Sequence, residues 1–144
     1  MEYSDSVKLL RECDAGSKMA VSGIEDVLEH VKNKELLRVL EESRKHHEKL
    51  GNEIHEMLNK QGMDEKDPPL IAKGMSHVKT NFKITMDSSD ATIAELMVDG
   101  CDMGIKSLYQ YLHQYKAAVH GAKDVCERLI GIERGLRKEL YPYL

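Results

Sequence analysis

The sequence predicts an all-α protein, and three observations carry that prediction. Pro68 and Pro69 sit together and Pro142 lies near the end, so residues 1–67 and 70–141 contain no proline to break a helix. Alternating apolar and polar runs rich in β-branched and aromatic residues are missing, while Leu, Met, Glu, Lys and Ala dominate. Apolar residues recur in alternating steps of three and four over long stretches, which is the period of one helix face. The 144 residues suit one domain, because two cores of half that size would each bury too little surface.

The first helix is expected over about Ser4 to Val31, with Leu10, Cys13, Ser17, Ala20, Ile24, Val27 and Val31 inward. Lys32-Asn33-Lys34 interrupts it. The second covers about Lys34 to Gln61, with Leu36, Leu40, Ser43, His47, Leu50, Ile54 and Leu58 on one side and Gly62 as its stop. A polar linker leads to a shorter helix over Pro69 to about Met86, carrying Ile71, Met75, Val78 and Phe82. Asp87-Ser88-Ser89-Asp90 reads as a turn ending in N-cap residues. The next long helix spans about Asp90 to Tyr115, with Ile93, Met97, Gly100, Gly104, Leu108, Tyr111 and Tyr115 in register. The last spans about Ala118 to Leu140, with Ala122, Cys126, Leu129, Glu133, Leu136 and Leu140 inward, and Tyr141-Pro142 ends it.

Each long helix is about 35–40 Å at 1.5 Å per residue. Short links make two antiparallel hairpins, residues 4–61 and 90–140, and residues 62–89 form a crossover long enough to travel the bundle and hold the extra helix. A weak internal repeat supports this pairing. Gly16-Ser17-Lys18-Met19-Ala20-Val21-Ser22-Gly23-Ile24 aligns with Gly100-Cys101-Asp102-Met103-Gly104-Ile105-Lys106-Ser107-Leu108 at a shift of 84.

Composition narrows the function. The net charge is −4, with 21 basic and 25 acidic residues interspersed, so the basic face that a nucleic acid requires is missing. No apolar run approaches the roughly 20 residues that span a bilayer. Met1-Glu2-Tyr3-Ser4-Asp5 lacks the pattern of a signal peptide, so a cytoplasmic location is expected. Cys13, Cys101 and Cys126 are odd in number and far apart, which suits neither a disulfide framework nor a zinc site. Each precedes an acid, which raises a thiol pKa and argues against a nucleophile.

The small-Met-small segment of the first helix, the Val31-Lys32-Asn33-Lys34-Glu35-Leu36 hairpin, and Ile93-Ala94-Glu95-Leu96-Met97 leading into Asp102-Met103-Gly104-Ile105 resemble the ferritin-like superfamily. More narrowly, the chain is similar to small bacterial ferritin-like proteins of a domain-of-unknown-function type. The resemblance covers nearly the whole chain. It implies an up-down-down-up four-helix bundle and no chemistry by itself.

The superfamily's di-iron or di-manganese site needs a Glu from each of two helices and Glu-x-x-His from each of the other two. None of the seven histidines has an acid three residues before or after it. The usual ligand set is therefore absent, and no metal or other cofactor is expected. Should iron, manganese or zinc bind through other ligands, the group to inspect is Asp14, His46, His47 and Glu48. His47 lies on the inward stripe, where Asp14 or Ser17 of the first helix is its expected polar partner. Glu42–His46, Asp26–His30 and His120–Asp124 read as exposed i,i+4 pairs. Met19, Met97 and Met103 are placed in or beside the core as gap fillers. Gly100 and Gly104 imply close approach of a backbone or of a bulky side chain such as Met19. The function expected is a non-catalytic bundle with a binding or assembly role, its partner an unidentified protein or a second copy meeting through Tyr109, Tyr115, Tyr141 and Tyr143. The alternative is a metal- or redox-active bundle with non-standard ligands.

Overall fold

A computed structural model describes residues 3–61 and 89–144. Among them the chain forms four long helices and no strand: α1 (Asp5–Leu28), α2 (Lys34–Lys60), α3 (Asp90–Gln114) and α4 (His120–Leu140), closed by a 3₁₀ turn at Tyr141–Tyr143. The prediction of an all-α bundle is met. The short helix expected at Pro69 to Met86 and the stop at Gly62 lie outside the described residues.

Local chemistry sets the helix starts. Ser4 Oγ accepts from the Val7 amide, Asn33 Oδ1 from the Glu35 and Leu36 amides, and Ser89 Oγ from the Thr92 amide, each satisfying an amide with no partner inside its helix. Two acids then tie the hairpins together. The Asp90 carboxylate accepts from Lys32 N at 2.9 Å and Asn33 N at 3.0 Å, so the α1–α2 turn sits beside the start of α3. Asp5 Oδ2 accepts from Ala117 N at 2.9 Å and Ser6 Oγ from Val119 N at 2.8 Å, so the α3–α4 turn sits beside the start of α1. The latter bond secures the start of α4, whose N-cap Val119 supplies no side-chain acceptor. These ties fix the directions: α1 and α4 run one way, α2 and α3 the other. Helix α1 touches all three others, α2 packs on α4, and α2 and α3 stand on the far diagonal.

The inward stripes of α2 and α4 are as the periodicity predicts. All seven residues named for α2 and all six named for α4 are buried. In α3 the stripe differs. Cys101 and Ile105 are buried, whereas Gly100 is exposed and Met97 half-buried. From Met97 a step of three reaches Gly100 and a step of four reaches Cys101. Only the second position has side-chain surface to bury, so packing selects it. Met103, on the outer side of this helix, is 66% exposed rather than beside the core.

Apolar packing falls into two clusters. One gathers Leu9, Cys13, Ile54, Leu58, Cys126 and Leu129 toward the α3–α4 turn. The other gathers Ile24, Val27, Leu36, Leu40, Ile93 and Leu140 toward the α1–α2 turn. Between them lies a polar waist, where Ser17, Ser43, His47 and Glu133 are buried together with Asp14.

Candidate functional site

The waist is built on one pair. His47 of α2 is fully buried and Glu133 of α4 is 7% exposed, and His47 Nε2 lies 3.0 Å from Glu133 Oε1. On the other side of the ring, His47 Nδ1 is 2.8 Å from the Ser43 carbonyl oxygen. A carbonyl oxygen only accepts, so Nδ1 carries a hydrogen and donates it. Ser43 Oγ lies 3.3 Å from the same nitrogen. With Nδ1 committed, a second proton must lie between Nε2 and the carboxylate.

The charge balance places that proton on the ring. Burial disfavours a charged imidazole, but the hydrogen bond and charge of Glu133, with the Ser43 carbonyl, outweigh it and raise the His47 pKa above its ordinary 6.5. His47 is then an imidazolium donating to a carboxylate. Its contribution to stability is complete below the unfolded value of about 6.5 and is lost as pH rises through the raised folded value. Urea midpoints measured from pH 6 upward are expected to fall through that window, and a midpoint that climbs there would contradict the assignment.

Helix α3 supplies the rest of the cradle. Burial, followed by the charge of the Glu133 carboxylate, pushes the Cys101 thiol pKa well up. A Cβ added at Gly104 would meet the Glu133 carboxyl carbon at 3.5 Å, an ordinary contact, so the acid packs against this glycine without requiring it. Close approach was the expected reason for a glycine here, but the neighbour is Glu133 rather than Met19. Gly100 has nothing within 4 Å of an added Cβ and answers to no such contact. Helix α1 contributes Ser17, whose Oγ donates to the Asp14 carbonyl at 2.9 Å and would sit 3.2 Å from a Cβ at Gly51 of α2. Gly51→Ala is therefore expected to be net destabilising, by about 1 kcal/mol, although alanine is the better helix former. Chemical denaturation measures it. An increase in stability would mean that Ser17 yields freely.

The named metal candidates do not converge. Asp14 is buried on α1 and pairs with Lys18 Nζ at 3.1 Å. His47 is buried on α2, but its neighbours His46 and Glu48 face solvent because residues adjacent in a helix point about 100° apart. Among the described residues no three His, Cys, Asp or Glu side chains are grouped to hold an ion. The partner expected for His47, Asp14 or Ser17, is replaced by Glu133 and Ser43. Of the exposed pairs, Glu42 is taken by Arg38 at 2.9 Å, and His30 lies 3.4 Å from Glu29. Cys13 is also raised, first by its hydrogen bond to Cys126 and then by burial, so its adjacent acid is the lesser cause.

Glu133 is the residue that periodicity placed inward without assigning a role. A signal for it exists. His47 and Glu133 lie 86 residues apart, and the same offset carries Leu36, Val39, Leu40, Ser43, Leu50 and Ile54 onto Ala122, Val125, Cys126, Leu129, Leu136 and Leu140, all buried. In α1 and α3 the offset is 84, carrying Leu9, Leu10, Ser17 and Ile24 onto Ile93, Ala94, Cys101 and Leu108, again all buried. The two hairpins thus repeat one burial pattern, and the waist polar groups fall at its equivalent positions: His47 with Glu133, and Ser17 with Cys101.

A second feature is open to solvent. A groove of about 510 Å³ runs between α2 and α4, and its floor includes Ser43, the hydroxyl and carbonyl that hold His47. Tyr109 hydrogen-bonds and stacks with Arg134, while Tyr115 and Tyr143 are half-buried, so the tyrosines expected at an interface are scattered. No helix among the described residues is long and apolar enough to cross a membrane.

These features define a two-hairpin helical bundle with a buried acid–imidazole waist. The same fold is seen in the crystal structure of a conserved hypothetical protein, rv2844, from Mycobacterium tuberculosis, at a TM-score of 0.74 and 14% identity over 100% of both chains. No protein-family model and no curated protein matches the sequence.

Proposed function

We propose that this chain is a ferritin-like bundle with a binding or assembly role and no catalytic centre, working in the cytoplasm. The up-down-down-up directions and the burial pattern repeated between the hairpins support the ferritin-like reading, since superfamily centres draw ligands from all four helices at midheight. Ser17, His47, Cys101 and Glu133 stand at that height, one on each helix. They do not fit a dinuclear metal centre. His47 is flanked at three residues by Arg44 and Leu50, and Glu133 by Ile130 and Leu136, so neither helix offers a second donor on the same face.

The single observation that carries the reading is the mutual satisfaction of His47 and Glu133, 3.0 Å apart and shut from solvent. Two groups that would otherwise bind a ligand bind each other. The alternative, a metal- or redox-active bundle with non-standard ligands, draws on the run of S, O and N donors from Cys101 through Glu133 to His47. Metal analysis of untagged protein separates the two. Sub-stoichiometric metal is expected. Stoichiometric iron, manganese or zinc that disappears in His47→Ala or Asp14→Ala would replace this reading with the alternative.

A further inference from the structure

We draw no further inference here: the strongest candidate, the open groove of about 510 Å³ between α2 and α4, mixes acidic and basic side chains at the same end, where Arg128 pairs with Glu53, and nothing in the structure shows what covers it.

Discussion

Replacing Glu133 with alanine is expected to lower the free energy of unfolding by about 3–5 kcal/mol, enough to remove a large part of the stability of a domain this size. The loss comes from what stays behind. His47 keeps its Nδ1–H bonded to the Ser43 carbonyl, while Nε2 faces the space left by the acid, fully shut from water. The ring must then either hold an unpaired buried charge or surrender its proton and leave a polar nitrogen without a partner. Replacing both residues with leucine is expected to cost much less than the single change, because the waist then joins the apolar clusters on either side. Urea denaturation of the single and double variants measures the coupling. Additive losses would mean that the pair does not act as a unit.

The second large effect is apolar. Leu40→Ala should cost about 2–5 kcal/mol, since Leu40 is fully buried and its neighbours Leu36, Ile93 and Leu140 close the end of the bundle near the α1–α2 turn. Met103→Ala should change stability by no more than about 0.5 kcal/mol, because that side chain is 66% exposed on α3. The two substitutions remove similar numbers of atoms, so their difference isolates burial. A comparable loss at Met103 would move it back to the core where the sequence placed it.

In α2 and α4 the inward stripe could be read residue by residue because each carries one narrow apolar face with charged residues opposite. Helix α1 is less legible. Val7, Leu9, Asp14 and Ala15 are buried beyond the single stripe that a period of 3.6 reveals. In α3 both Gly100 and Cys101 satisfy the spacing from Met97, and only contact with α4 decides between them. The absence of Glu-x-x-His was visible in the bare sequence, since it depends on spacing along one helix.

The partner of His47 was not visible in that way. Asp14 and Ser17 are on the helix nearest in sequence and have suitable chemistry, so they were reasonable expectations. Glu133 reaches the ring because the second hairpin lies across the first with α4 against α2, and the start of α3 is held at the α1–α2 turn by Asp90. Helix content, the hairpin pairs, the start of α3 at Ser89 and the inward faces of α2 and α4 follow from local chemistry and periodicity, which act over a few residues. The acid that meets the imidazole, the direction in which Cys101 points and the open groove beside Gly131 and Gly135 follow from how two hairpins are laid together. That placement is set by long-range packing, and spacing within one helix carries no information about it.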